Sequence, residues 1–270
     1  MSPPWTVMGV VNVTPDSFSD GGLWLDADAA VARGTELAAE GAAILDIGGE
    51  STRPGAEPVG ADEELRRTIP VLERLAELRT GAQLSIDTAK LSVARAALAA
   101  GATYVNDVTA FRADPDLAGL VAEAGCDCCL MHMQGEPRTM QSDPRYDDVV
   151  GEVRAFLEER VAVALAAGIA PQRINVDPGI GFGKTLAHNL ELLRRLDEIA
   201  ALGFPVVVGV SRKAFLGTLT GRELPAARVA ASVAANVLAF ERGARIFRVH
   251  DVAATVDGLK VATASLPADG

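Results

Sequence analysis

Two groups of residues late in the chain have the chemistry of an anion site: Ser211-Arg212-Lys213 and Arg248-Val249-His250. Arginine presents a planar fork of N–H donors that matches pairs of phosphate oxygens, and lysine adds a point charge. Arg248 and His250 are two apart, so on a strand they share a side. The alternative is that these cations are spent on structural salt bridges with Asp251 or Asp107. Acceptors are spread through the rest of the chain. Asn12, Asp46, Asp87, Asn106, Asp107 and Asp177 lie at or near the ends of short Val- and Ile-rich runs. Strand ends that meet water are often polar, which accounts for one or two such positions but poorly for a donor or acceptor at all eight. His132 and His188 read equally well as packed or capping residues, and no role is assigned to them.

Two segments are too long and irregular for plain connections, Thr14 to Gly22, which contains Asp16 and Asp20, and Gly48 to Ala56, which sets Arg53 beside Pro54. Loops of this kind in a compact domain commonly cover or bind a ligand. The run from Asp177 to Thr185 carries Gly179, Gly181 and Gly183 before Lys184. Its spacing fits neither the dinucleotide fingerprint nor the nucleotide phosphate loop. A strand-end carboxylate followed by a Gly-rich turn is left, and the glycines are expected to let backbone approach a flat ligand.

These residues need a frame that brings eight strand ends together. Eight β-like runs are read at Val7–Val13, Ala43–Ile47, Gln83–Asp87, Tyr104–Val108, Cys128–Met133, Ile174–Asp177, Pro205–Val210 and Arg245–Val249. Helical patterns lie between them at Asp26–Glu40, Asp62–Leu78, Leu91–Ala100, Pro115–Ala124, Asp147–Ala167, Ala187–Leu202, Ala226–Arg242 and Val252–Ala264. Strict alternation implies parallel strands with crossover helices. Eight units with no change of composition fit a single-domain (β/α)8 TIM barrel over residues 1–270 better than a doubly wound sheet. In such a barrel the C-terminal strand ends form one rim, and the seventh and eighth loops often bind phosphate.

Composition narrows the partners. The 270 residues are 49% hydrophobic and 23% charged, which excludes disorder. Lys+Arg 25 against Asp+Glu 36 gives a net charge of -11, so the overall field repels nucleic acid and anionic membrane, and an anionic ligand needs a local basic patch. No apolar run reaches the roughly 18 residues of a membrane span, and the opening lacks a signal peptide's basic region, which points to the cytosol. Cys126, Cys128 and Cys129 are odd in number and confined to one segment, so they are expected to be buried thiols rather than a disulfide or zinc framework.

Motif by motif, the chain resembles the dihydropteroate synthases of folate biosynthesis. The resemblance rests on Met8 to Gly22, Gly49 to Gly55, Ser85 to Thr88, Asn106 to Val108, Met131 to Gly135, Asp177 to Lys184, Ser211 to Lys213 and Arg248 to Asp251, in order along nearly the whole sequence. It implies a cytoplasmic homodimeric (β/α)8 barrel, a sulfonamide target. The implied reaction joins 6-hydroxymethyl-7,8-dihydropterin pyrophosphate to p-aminobenzoate with magnesium (Mg2+) and releases pyrophosphate. By position, the pterin would meet Asp87, Asn106, Met131, Asp177 and Lys213. Pyrophosphate would meet Asn12, Arg53, Arg248 and His250, with Asn12 linked to the metal. The p-aminobenzoate side would be Thr52, Pro54, Phe182 and Ser211, and catalysis would fall to Lys213, Arg248, His250 and Asp20. The implied mechanism is a dissociative, SN1-like substitution in which the arylamine needs positioning rather than a strong base. A pterin-binding methyltransferase of the corrinoid kind shares the barrel and its acceptors but handles no pyrophosphate, and a non-catalytic pterin-binding paralogue would be expected to have decayed loops. Thr109-Ala110-Phe111 departs from the small Ser-Gly pair often found after Asn-Asp in the family.

Overall fold

A computed structural model of the chain describes residues 3–13, 23–51, 56–135 and 138–265. The strands are β1 (Thr6–Asn12), β2 (Ile44–Gly48), β3 (Gln83–Asp87), β4 (Tyr104–Asp107), β5 (Asp127–Met131), β6 (Ile174–Asp177), β7 (Val206–Val208) and β8 (Ala244–Val249). They pair in parallel and in sequence order, and β8 returns to β1 to close the barrel. Around it run α1 (Leu23–Ala39), α2 (Ala61–Leu78), α3 (Leu91–Ala99), α4 (Asp116–Ala124), α5 (Val149–Ala166), α6 (Leu186–Arg194), α7 (Leu196–Ala200), α8 (Ala214–Thr220), α9 (Val229–Glu241) and α10 (Val252–Ser265). No single helix among the described residues is long and apolar enough to cross a membrane.

Side-chain alternation divides each strand between two cores. Val7, Val11, Leu45, Ile47, Ile86, Val105, Cys128 and Leu130 belong to the large cluster that includes the buried faces of the helices. Met8, Ile44, Tyr104, Cys129, Val207 and Ile246 form a separate cluster, as the alternate positions of a barrel interior should. Two residues further along the same strands stand Asp46, Asn106, Met131 and Arg248. Period two therefore sets a polar layer on an apolar plug, and strand parallelism puts that layer at the C-terminal rim. The three cysteines are buried and unpaired, one of them, Cys129, in the plug.

The elements differ from the sequence pattern in a few places with local causes. The single helix expected over Ala187–Leu202 breaks at Arg195, whose side chain bridges Asp148 at 2.9 Å and Glu198 at 2.6 Å. Helix α8 was not expected: its seven residues include Gly217, Thr218 and Thr220, all poor helix formers. Strand β5 stops at Met131, two residues early. The next amide, that of His132, turns to the carbonyl of Asp177 at the end of β6.

The turn between β6 and α6 gives its glycines a second role, in packing. Gly179, Gly181 and Gly183 adopt φ of +66°, +86° and +64°. A Cβ on Gly179 would stand 1.8 Å from the carbonyl oxygen of His132, and one on Gly183 would stand 2.7 Å from that of Gln134. One on Gly181 would stand 2.9 Å from Cδ of Lys213. The glycines are thus required by chain-to-chain packing, which presses this turn onto the β5 loop and onto Lys213.

Gly125, at the end of α4, separates the two costs of replacing such a glycine. It has φ +59° but open space where a Cβ would go. Gly125→Ala should cost about 1 kcal/mol, the backbone strain alone. Gly179→Ala should cost about 3 kcal/mol or more, because backbone cannot yield to the added carbon. Urea denaturation of both variants measures the difference.

Candidate active site

Arg248 organises the rim. Its Nε donates to Oδ2 of Asp46 at 2.6 Å and its Nη2 to Oδ2 of Asp87 at 2.7 Å. Asn106 Nδ2 donates to the same Asp46 oxygen at 3.0 Å, and Ser85 Oγ donates to the other at 2.6 Å. Asp46, Asp87 and Asn106 are all buried. Burial favours the neutral carboxyl and pushes Asp87 up to about 7, while Arg248 pulls it back and the nearby Asp46 and Glu64 add to the rise. The Asn106 amide nitrogen is committed to Asp46, so its Oδ1 is left as an acceptor. Arg248 Nη1 likewise has no hydrogen-bond partner among the described residues. The cation is therefore held by carboxylates, and neither is Asp251 or Asp107.

The second half of the rim centres on Asp177. Its Oδ1 accepts from the amide of Gly179 at 2.7 Å. Burial raises its pKa, and Lys213, the Gly179 amide, Lys184 and Arg248 oppose the rise. Arg248 thus lies within electrostatic reach of both halves. Lys213 starts α8, donates to the carbonyl of Ile180 and lies 4.5 Å from the ring centroid of Phe182. Burial lowers it to about 8. Phe182 packs on a cluster of Met131, Met133, Met140 and Val108, so Met131, expected against a flat ring, shares a cluster with the ring that Lys213 faces. Lys184 is buried and donates to Nδ1 of His132 at 2.9 Å and to the carbonyl of Phe182 at 3.0 Å. Burial lowers Lys184 to about 7, and burial together with Lys184 lowers His132 to about 2, so His132 is a neutral acceptor. Lys184 therefore braces the Gly-rich turn instead of reaching for phosphate.

Ser211 Oγ accepts from the backbone amide of His250 and also meets its ring Nδ1, both at 3.1 Å, joining the β7 and β8 loops. The expected cationic group is smaller than its sequence. Arg212 turns away with φ +60° and forms a fork with Asp251 at 2.9 and 2.5 Å. Asp107 is also structural: it faces the helix side of β4 and accepts from Thr109 N, Thr109 Oγ1 and Phe111 N. Asn12 ends β1, half-buried, and its side chain has no hydrogen-bond partner among the described residues. No group of three His, Cys, Asp or Glu among those residues could hold a metal, so a cation here would take the Asn12 amide oxygen together with ligand and water oxygens. Asp20, Thr52, Arg53 and Pro54 lie outside the described residues.

The arrangement joins acceptors for N–H donors, a lysine suited to a carbonyl, an apolar ring bed and a guanidinium with a free edge. Asp46 and Ser85 were missed as site residues. Asp46 could have been found, since it shares the inward parity of Asp87, Asn106 and Asp177.

Residues 8–250 match the pterin binding enzyme family. Dihydropteroate synthase of Neisseria meningitidis serogroup C is 51% identical over 257 residues, covering 94% of this chain and 90% of the relative. The structure of Xanthomonas albilineans dihydropteroate synthase with 4-aminobenzoic acid is 55% identical and superposes with a TM-score of 0.91, over 97% of this chain and 94% of that one. The same enzyme in complex with 7,8-dihydropteroate is 52% identical with a TM-score of 0.87, over 97% and 94%. The chain belongs to the dihydropteroate synthases. As a dihydropteroate synthase it is a transferase, and the motifs that carried the resemblance all lie on one rim wherever they are described.

The charge balance at this rim is measurable. Below about pH 7 Asp87 keeps a proton that the unfolded chain has lost above about pH 4, so through that window its contribution to stability falls as pH rises. Arg248→Met removes the cation that opposes the shift and should raise the Asp87 midpoint further, which carboxyl ¹³C NMR of both proteins would follow. An unchanged midpoint would separate the two groups.

Proposed function

We propose that the chain condenses 6-hydroxymethyl-7,8-dihydropterin pyrophosphate with p-aminobenzoate to give 7,8-dihydropteroate and pyrophosphate. The observation that carries this reading is the Arg248 link: one guanidinium is hydrogen-bonded to two acceptor-bearing strands and keeps its Nη1 for an anion. A pterin edge offers an amine and ring N–H groups, which suit the Asp177 carboxylate and Asn106 Oδ1, and a carbonyl, which suits Lys213. Asp87 stands next to Asn106 in the register of β3 and β4 and completes the acceptor wall. Met131 packs beneath the ring.

Bond breaking at a carbon attached to an electron-rich ring leaves positive charge that the ring can spread, which favours an SN1-like path. Negative charge meanwhile grows on the departing pyrophosphate, where Arg248 Nη1 and His250 stabilise it, with Arg53 assigned to the same task. Magnesium, held by Asn12 and the substrate's phosphates, would add Lewis-acid neutralisation of that charge. The arylamine is neutral at pH 7, so the task of Phe182 and Ser211, with Thr52 and Pro54, is to place its nitrogen. Asp20 is assigned to the same catalytic group from the first long loop. We further place the enzyme in the cytosol as a homodimer, which the family resemblance supports. The corrinoid methyltransferase reading has no use for the cations that line this rim.

Pyrophosphate release measured with both substrates, with and without magnesium, tests the reaction: release should need p-aminobenzoate and fall sharply without the metal. Pterin binding without release would identify a silent pterin binder instead. Asp177→Asn retains an acceptor for the Gly179 amide but presents an NH2 to the pterin donors. It should weaken pterin binding by about 1–3 kcal/mol in calorimetry, and unaltered affinity would remove Asp177 from the pocket.

A further inference from the structure

A cavity of about 620 Å³ opens beside Asp87, with Glu50, Glu64, Lys90, Val108 and Met133 among its walls. Three of these residues form a cluster that the chemistry above does not use. Lys90 donates to a carboxylate oxygen of Glu50 and to one of Glu64, the latter at 2.5 Å. Glu64 lies on α2 and is 0% exposed, and its Oε1 has no hydrogen-bond partner among the described residues. A buried carboxylate of that kind holds tightly to the cation beside it. Burial works against the Lys90 charge, but its hydrogen bonds to Glu50 and Glu64 and their negative charges outweigh it and raise its pKa.

Glu50 does a second thing. Its Oε1 accepts from the backbone amide of Val59 at 3.2 Å, so one side chain ties together the point where the second long loop leaves β2 and the point where it returns towards α2. Gly49 is held at the same place: Arg67 Nη1 donates to its carbonyl at 2.9 Å, and a Cβ there would meet Thr68 at 2.8 Å. Lys90 stands three residues after Asp87 on the segment that leaves β3. The neck of the loop and the pterin-facing end of β3 are thus pinned to one buried point on α2.

We infer that Lys90, with Glu50 and Glu64, fixes the neck of the second loop at Glu50 and Val59, and that p-aminobenzoate binding depends on this neck although none of the three touches a substrate. This rests on the reading above that residues 52–54 serve that side. Glu50→Ala should unpin the neck: exchange of the Val59 amide should accelerate about tenfold. The KM for p-aminobenzoate should rise about tenfold, while that for the pterin pyrophosphate stays within about twofold. Glu50→Gln, which keeps an acceptor for Val59 but turns an NH2 towards Lys90, should restore most of the Val59 protection and little of the KM for p-aminobenzoate. Lys90→Met alone strands a buried carboxylate and endangers folding, so Lys90→Met is paired with Glu64→Leu, and the double variant should match Glu50→Ala in the KM for p-aminobenzoate. Unchanged Val59 exchange in Glu50→Ala, or an equal rise in both KM values, would overturn the inference. A wild-type protein that released no pyrophosphate would overturn the proposed reaction instead, and the exchange measurement would still report on the neck.

Discussion

Burying two carboxylates in a barrel mouth is unfavourable unless a cation is brought to them, and here that cation comes from the far end of the sequence. Arg248 and Asp46 are separated by 202 positions. Closure of β8 onto β1 makes them neighbours: Met8 of β1 pairs with Arg248 on one side, and Val10, two residues on, pairs with Asp46 on the other. Breaking a buried pair by deleting one partner commonly costs about 3–5 kcal/mol, because the remaining charge is left uncompensated. The Arg248 hydrogen bonds are therefore a condition for the acceptor wall to exist. Change at position 248 cannot be read as loss of an anion contact alone.

The frame of this site was largely legible in the sequence because the signals were periodic. Eight apolar runs alternating with eight Ala-rich helices leave few ways to connect parallel strands, and the polar strand ends then converge by geometry. What could not be read was which polar residue serves the ligand and which serves the chain. Asn106 and Asp107 are adjacent and both polar. Strand alternation turns the first into the mouth and the second towards the helices, where it holds a turn. Arg212 and Lys213 pose the same problem, and its solution depends on Asp251, a residue 39 positions away. Long-range pairing of this kind has no local signature. The packing role of the β6-turn glycines has no local signature either, since the atoms that exclude a side chain belong to the β5 loop and to Lys213.

The turn after β4 shows how a departure from the family pattern is accommodated. Ala110 and Phe111 both adopt left-handed φ, +53° and +62°, where glycine would be unstrained. Phe111 is buried to 1% exposure, and its amide donates to Asp107 at 2.7 Å. Burial of a phenyl ring is worth about 1.5–3 kcal/mol, enough to offset strain of about 1–2 kcal/mol at its own residue. Asp107 meets the rest by accepting three hydrogen bonds at the price of its own desolvation. The turn that follows Asn106 and Asp107 is thus held by the packing of Phe111 and by the three hydrogen bonds to Asp107.

The three cations near Asp177 divide according to what each can lose. Arg248, with burial opposing it but two carboxylates beside it, is held further above its ordinary pKa and cannot discharge at any relevant pH. Such a group suits a leaving anion whose charge grows during the reaction, because its own charge does not depend on the ligand's arrival. Lys213 and Lys184 are brought down by burial to about 8 and 7. A lysine so placed loses little by facing a neutral carbonyl, and either can be neutralised more cheaply than the arginine. The proposed placing of arginine against the pyrophosphate and lysine against the ring agrees with the two carboxylates that hold Arg248 charged and with the burial that lowers Lys213. On the proposed mechanism, the reverse placement would set the growing negative charge against a lysine whose hold on its proton burial already weakens.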